Sequence, residues 1–152
     1  MPFSEWSDEF SVGVEEIDRE HKRLLAVLNN LHDAVQAGGA REVLGKVMDE
    51  LLLYVAYHFA HEEELFLRTG YPGFERHRLQ HRALTITVKE IYEDFQLSDS
   101  EALPGQVLLF LKHWLYDHIM GSDRAFGMYF NAWLAKNPGV TIPKDGREPE
   151  PQ

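Results

Sequence analysis

Apolar residues recur every three to four positions along four stretches of the chain, which is the spacing of the buried face of an α-helix. These stretches cover about residues 19–36, 41–68, 73–96 and 106 onwards, and no stretch of useful length alternates in the manner of a β-strand. The connections between them are short. The pattern therefore predicts an all-α protein built as an up-down-up-down four-helix bundle.

Residues that start or stop helices stand at the edges of these stretches. Asp18 is a plausible N-cap for the first helix, and Gly38–Gly39 would end it. Gly70 closes the second helix and Pro72 opens the third, the usual order of these two residues at a turn. Pro138–Gly139 would end the last helix.

The two ends of the chain lack the regular pattern of the middle. Residues 1–17 have no helical period but carry Trp6, Phe10 and Val12, so we expect an extended arm packed across the bundle. Residues 138–152 are charged and rich in proline, a composition typical of a flexible tail. The sequence thus predicts one domain over residues 1–137, with a C-terminal helical extension, followed by a tail over 138–152.

Polar residues interrupt the apolar seam on both sides of the turn at Gly70. His58 and Glu62 occupy two consecutive seam positions of the second helix, and His77 and His81 begin the seam of the third. Residues four apart lie on one face of a helix. Counted from Gly70, the two pairs are at matching distances, so a tight turn would bring them face to face at one depth of the bundle.

The first and fourth helices add polar seam residues at the same predicted depth. His21 lies near the start of the first helix, and His118 and Asp123 lie well along the fourth. After His118 a regular seam would continue at position 121 or 122, but it resumes one residue out of phase at Asp123. A single-turn π-bulge would produce that slip, so we predict one around residues 118–123.

This convergence of buried polar groups points to a metal centre. Each alone would more often be a core residue with a hydrogen-bond partner, but together they would cost a few kcal/mol apiece in a domain stabilised by about 5–15 kcal/mol. Five imidazoles and two carboxylates exceed the needs of one tetrahedral zinc ion and suit two metal ions bridged by the carboxylates. The candidate ligands are His21, His58, Glu62, His77, His81, His118 and Asp123.

The other histidines and the surrounding apolar residues have ordinary interpretations. We expect His32 to be a hydrogen-bonded core residue, and His61 and His113 to lie at the surface or behind the ligands. An apolar set within a turn of His21 and His118 is by default core, but it would also wall a pocket beside the metals. Its members are Leu24, Leu25, Trp114, Leu115 and Ile119.

The composition of the chain restricts both the partners that it can attract and the residues that can bind a metal. The 152-residue chain has a net charge of −10, which argues against nucleic acid and anionic membrane as partners. It contains no cysteine, so a metal site must use His, Asp and Glu. No apolar run approaches the length of a membrane span, and the N-terminus lacks a signal-peptide pattern, so we expect a cytoplasmic protein.

The candidate ligands stand in segments that resemble the bacterial hemerythrins, a branch of the hemerythrin-like non-haem di-iron family. The similar segments are WSDEFSVGVEEIDREH, HFAHEE, GYPGFERHRLQH and WLYDHIMGSD, which fall between residues 6 and 123. Residues 125–136 extend beyond what the minimal family fold needs. The resemblance implies that His77, His81 and His118 hold one iron and that His21 and His58 hold the other. It also implies that Glu62, Asp123 and an oxo or hydroxo group bridge the two irons (Fe²⁺/Fe³⁺).

The function that the resemblance implies is reversible binding of dioxygen, as a carrier, store or sensor, rather than enzymatic turnover. The first iron would have six ligands and the second five, which leaves one position for dioxygen. The alternatives are a di-iron enzyme acting on nitric oxide or peroxide, and an iron buffer. A carrier would deliver its oxygen to a protein recipient.

Overall fold

A computed structural model describes residues 4–38, 41–97 and 103–140 of the chain. Over these residues every regular element is helical, which confirms the predicted all-α class. A short 3₁₀ turn, Asp8–Phe10, precedes the helices. The helices are α1 (Glu15–Gln36), α2 (Arg41–Thr69), α3 (Phe74–Leu97), α4 (Leu103–His118) and α5 (Arg124–Lys136), with a π-helical turn (Ile119–Asp123) joining the last two.

The first four helices form the predicted bundle. Helix α1 packs against α2 and α4, and α3 packs against the same two helices, so each helix lies between two neighbours. Short connections make neighbouring helices antiparallel, which places the start of α1 and α3 beside the end of α2 and α4. None of the helices in the described ranges is long and apolar enough to cross a bilayer.

The seam residues predicted for α2 form the face of this helix that is buried in the core. Met48, Leu51, Val55 and Leu65 are all buried, and His58 and Glu62, the two polar seam residues between Val55 and Leu65, are buried with them. Leu44, the first predicted seam residue, has a side chain that lies outside the described part of the structure. The steps of three and four residues thus identify the inward face of the helix over its described length.

Two predicted helix starts were wrong. Helix α1 begins at Glu15 with Val14 as its N-cap, so Asp18 lies inside its first turn and is not the cap. The Asp18 carboxylate instead accepts hydrogen bonds from the Val12 N–H (2.9 Å) and the Ser11 hydroxyl (2.5 Å), which fastens the arm to the helix. Helix α4 begins three residues before the predicted position 106. Most of the loop predicted before it, residues 98–102, lies outside the described ranges.

The turn between α2 and α3 matches its prediction. Gly70 has φ +62°, a left-handed conformation that glycine adopts without steric cost. The Tyr71 N–H donates to the Phe66 carbonyl across the end of the helix (3.0 Å), a bond that closes a Schellman motif. Gly38 ends α1 in the same conformation, with φ +63°, whereas Gly39 lies outside the described residues.

The C-terminal extension, α5, holds the N-terminal arm. The Asn131 side-chain amide donates to the Gly13 carbonyl (3.0 Å), and the Arg124 guanidinium donates to the Glu9 carbonyl. Gly127 faces the arm so closely that a Cβ added there would lie 1.8 Å from the Val12 carbonyl oxygen. The arm thus packs across the bundle, as expected from its apolar residues. Of the predicted tail, only residues 138–140 are described.

Candidate metal centre

The structure brings all seven candidate ligands to one level of the bundle core. None is more than 7% exposed, and Glu62, Asp123 and His21 are completely buried. Their nitrogen and oxygen atoms form two groups, and the atoms of each group lie within 4.8 Å of one another. The three-histidine group contains His77, His81, His118, Glu62 and Asp123, and the two-histidine group contains His21, His58, Glu62 and Asp123.

The imidazoles of the three-histidine group point their Nε2 atoms at one another. The Nε2 atom of His118 lies 2.9 Å from that of His77 and 3.1 Å from that of His81. Three converging ring nitrogens cannot all hydrogen-bond to one another, because a nitrogen that carries a proton only donates and one without a proton only accepts. Two neighbouring nitrogen ligands, each about 2.1 Å from one metal ion, would stand about 3 Å apart.

The two carboxylates divide their oxygens between the groups. In Asp123, Oδ1 lies 2.8 Å from His77 Nε2 and 3.0 Å from His118 Nε2, whereas Oδ2 lies 2.9 Å from His21 Nε2. In Glu62, Oε1 lies 3.2 Å from His77 Nε2, whereas Oε2 lies 3.0 Å from His58 Nε2. Each carboxylate therefore has one oxygen for each group, which is the arrangement of a bridging ligand.

The π-helical turn is what allows Asp123 to join His118. Residues five apart on an α-helix are separated by about 140° around the axis, so they face different directions. The predicted bulge is present at Ile119–Asp123, where the Arg124 N–H reaches the Ile119 carbonyl five residues back. This extra residue returns Asp123 to the inner face, and the apolar seam continues from it with Phe126 and Phe130, both buried.

The polar atoms of the site are short of hydrogen-bond partners, which fits a metal ion. Both oxygens of Glu62, both oxygens of Asp123 and both ring nitrogens of His21 are buried with no contact of hydrogen-bond geometry. Buried carboxylate oxygens in native proteins are nearly always satisfied. The donor set of imidazoles and carboxylates, without sulfur, is one that iron accepts, so the residues present fit a di-iron centre.

The charges in the site complement one another. Burial by itself would raise the pKa of Asp123, but the imidazoles of His118, His21 and His77 lower it well below its ordinary value. Burial disfavours the charged form of His58, yet the carboxylates of Glu20 and Glu62 raise its pKa to about 10. Burial lowers the pKa of His81 far below its usual value, and the neighbouring His118 and His77 add to the effect. The Asp123 carboxylate is therefore ionised, and His81 is neutral.

One functional candidate, Glu20, was missed in the sequence analysis, and His61 was expected either at the surface or behind the ligands. Glu20 is completely buried and lies against His58 and His61, and His61 is itself only 8% exposed, which excludes a surface position. The spacing of buried residues on α1 could have identified Glu20. It lies three residues after Ile17 and four before Leu24, on the same face of the helix, and both of these residues are buried. His113 is exposed, as expected, whereas His32 is half-buried and is not the core residue that we predicted.

A small apolar cavity of about 30 Å³ lies in the bundle core beside the three-histidine group. Of the five residues predicted to wall a pocket, Leu24, Trp114 and Leu115 line it, whereas Leu25 and Ile119 are buried but do not. Leu25 follows Leu24 by one residue and is therefore turned by about 100° around α1, away from the cavity. The remaining lining residues are Leu28, Leu51, Val55, Phe59, Leu84 and Leu111.

Aromatic rings separate this cavity from the imidazoles. Phe59 stacks on His81 with ring centroids 3.8 Å apart and planes 4° from parallel. Trp114 stacks on His118 with centroids 4.4 Å apart and planes 15° from parallel. The two ligands are thereby covered on one face by apolar surface, and their ring orientations are fixed by packing.

The family of the chain follows from comparison with known proteins. A family model described as the hemerythrin HHE cation-binding domain matches residues 12–129. The chain belongs to the hemerythrin family. All seven candidate ligands lie within the matched hemerythrin region.

Individual hemerythrins are similar over most of their length. A bacteriohemerythrin from Stenotrophomonas maltophilia is 36% identical over 129 residues, which are 85% of this chain and 82% of the relative. A bacteriohemerythrin from Methylococcus capsulatus is 31% identical over 124 residues, 82% of this chain and 93% of the relative. The crystal structure of a wild-type hemerythrin has a TM-score of 0.77 at 30% identity and covers 84% of this chain and 98% of its own.

Proposed function

We propose that this hemerythrin-family chain binds dioxygen reversibly at a non-haem di-iron centre. The observation that carries the proposal is the asymmetry of the two ligand groups, which share Glu62 and Asp123 but contain three imidazoles on one side and two on the other. With an oxo or hydroxo bridge added, six ligands would surround one metal and five the other. A di-iron pair, when bound, supplies a redox-active metal with one position that the protein leaves open.

The ligand roles in this proposal follow from the geometry of each group. His77, His81 and His118 would hold the six-ligand metal, because their Nε2 atoms converge. His21 and His58 would hold the other, each beside a carboxylate oxygen at 2.9 or 3.0 Å. Of the five proposed pocket residues, Leu24, Trp114 and Leu115 line the small cavity, and Leu25 and Ile119 contribute to the surrounding core.

The apolar surroundings favour binding over turnover. The cavity of about 30 Å³ lies behind Phe59 and Trp114 on the three-histidine side, which has no open position, and its apolar lining keeps water away from those imidazoles. Excluding water and protons from the metals would also slow their irreversible oxidation. Nitrogen ligands outnumber the two carboxylates, unlike the carboxylate-rich centres of ferritin-like di-iron proteins.

The test is reconstitution without oxygen, using Fe²⁺ on the metal-free protein, followed by repeated cycles of air and inert gas. The visible spectrum should show a coloured form that appears in air and disappears under inert gas over several cycles. One-way oxidation in the first exposure would contradict reversible binding. Steady consumption of nitric oxide or peroxide together with a reductant would favour the enzyme. Fe²⁺ taken up without any response to oxygen would favour the buffer.

A pair of histidine variants provides the matched control. His77→Ala removes an imidazole from the three-histidine group and should lower the iron content and abolish the coloured form. His113→Ala changes an exposed histidine on α4 and should leave both unchanged. Equal iron content in the two purified variants would remove the support for the ligand assignment.

A further inference from the structure

Behind the two-histidine group lies a buried carboxylate that contacts two histidines. Glu20 is completely buried, and its Oε1 atom lies 2.8 Å from His58 Nδ1. Its Oε2 atom is hydrogen-bonded to Nδ1 of His61, whose Nε2 lies 3.8 Å from the Glu16 carboxylate. Neither Glu20 nor His61 belongs to either of the two ligand groups.

The positions of these residues follow from helical spacing. Glu16 and Glu20 are four residues apart on α1, and His58 and His61 are three apart on α2, so each pair lies on one face of its helix. Because α1 and α2 pack side by side, the four residues alternate across their interface. Carboxylates and imidazoles therefore alternate in a row that starts at half-buried Glu16 and ends at His58.

The contact with Glu20 determines which nitrogen of His58 is available to the ligand group. Both ring nitrogens of His58 face carboxylates, which accept but cannot donate, so the metal-free ring can carry a proton on each. A metal that takes Nε2 would leave the one remaining proton on Nδ1, where Glu20 accepts it. The lone pair is then on Nε2, which faces Glu62 at 3.0 Å. A carboxylate behind the imidazole also increases the basicity of the ligand nitrogen.

His61 in turn determines the orientation of Glu20. A glutamate with one partner can rotate about its last bond, and its second buried oxygen would be left without a hydrogen bond, which is unfavourable for a buried acceptor. The His61 imidazole donates a hydrogen bond from Nδ1 to that second oxygen. The carboxylate is therefore held at both ends, between two rings on the same helix.

We propose that Glu20 and His61 are positioning residues for the two-histidine side of the centre, where they fix the ring and the tautomer of His58. The inference rests on the metal centre of the proposed function but does not depend on dioxygen. It concerns the metal position of His21 and His58 and leaves the three-histidine position unaffected, because the polar contacts described for Glu20 and His61 are with His58, Glu16 and each other.

The test uses Co²⁺ alone as the probe, with uptake per chain and release to a chelator measured for the full chain. The wild type should hold two ions. Glu20→Ala should weaken one of them by about 10–100-fold and leave the other unchanged. His61→Ala should weaken the same ion less, because Glu20 still accepts from His58. Glu20→Gln should recover part of the loss, because its amide oxygen can accept that hydrogen bond.

The visible spectrum of bound Co²⁺ provides a readout that a general loss of stability would not change. The bands of the weakened ion should shift in Glu20→Ala and return toward the wild type in Glu20→Gln. Glu15→Gln, an exposed change on the same helix, should behave as the wild type. If Glu20→Ala fails to fold by circular dichroism, Glu20→Gln and His61→Ala still decide the outcome through the release rate of the same ion.

Two results would overturn the inference and are distinguishable from each other. A wild type that takes up two ions, with variants that release both ions at the wild-type rate or weaken both equally, would overturn the positioning role and leave the proposed function intact. A wild type that takes up no Co²⁺ and no Fe²⁺ would overturn the metal centre itself, and the positioning role with it.

Discussion

The two sides of the candidate centre use the same kinds of ligand but have different surroundings. Behind the three-histidine side, Phe59 and Trp114 stack on the imidazoles and an apolar cavity lies beyond them. Behind the two-histidine side, Glu20 and His61 form a buried ionic row that reaches half-buried Glu16. One side is thus oriented by packing and the other by hydrogen bonds.

This difference shows two ways of fixing an imidazole in a protein core. Stacking on Phe59 restricts the plane of the His81 ring. Burial lowers the pKa of His81 and thereby keeps the ring neutral. A carboxylate partner instead keeps a proton on the far nitrogen of His58, and the nearby charge raises its pKa to about 10. The first arrangement depends on shape and the second on charge, so substitutions should affect the two sides differently.

The largest effect is expected where both sides meet. Asp123→Ala removes the carboxylate whose two oxygens face opposite groups, at 2.8 Å from His77 and 2.9 Å from His21. We expect the iron content to fall from two ions per chain to less than one, measured by elemental analysis after loading and desalting. Asp117→Ala, an exposed change on α4, is the control and should retain both. Two tightly held ions in Asp123→Ala would show that the sides do not share this ligand.

The next effect concerns the apolar side alone. Phe59→Ala removes a ring that is 6% exposed and stacked on His81, and the loss of a buried aromatic side chain costs about 3–5 kcal/mol. The free energy of unfolding of the metal-free protein, measured with denaturant, should fall by that amount. The lifetime of the coloured form should also shorten, because water gains access to the imidazole.

A more exposed phenylalanine makes the comparison specific. Phe110→Ala removes a side chain that is 37% exposed and should change the free energy of unfolding by much less. If Phe59→Ala lowered the free energy of unfolding no more than Phe110→Ala, the stacking of Phe59 on His81 would have no special role in holding the three-histidine side.

The smallest effect is expected at the contact between the arm and α5, where a substitution should change the stability of the fold without affecting either side of the centre. Gly127→Ala would place a Cβ 1.8 Å from the Val12 carbonyl oxygen and push the arm away from α5. We expect a loss of about 1–3 kcal/mol in the free energy of unfolding, with metal content unchanged. Gly105→Ala is the control, because nothing lies within 4 Å of its added Cβ. Equal stability of the two variants would contradict the close packing of the arm.

The bundle and the level of the ligands could be predicted because both depend on spacing along single helices. His58 and Glu62 lie on the α2 seam by their four-residue step, and the phase slip after His118 predicted the π-helical turn that the structure contains at Ile119–Asp123. The seven side chains meet as expected from these periods, and their binding of metal stays a prediction. Helix ends were less predictable: Asp18 was expected to cap α1, but it binds the arm at Val12 and Ser11.

Spacing along the chain fixes which residues point inward and at what depth, because the rise and turn of a helix are set by local hydrogen bonds. What stands behind His58 and His81 depends instead on how the helices pack against one another. The contact of Glu20 with His58 and His61 depends on the rotation and register of α1 against α2, and the stacking of Phe59 on His81 depends on how α2 meets α3. Such contacts arise when separate helices pack, and the period of one helix does not encode how it is turned against the next.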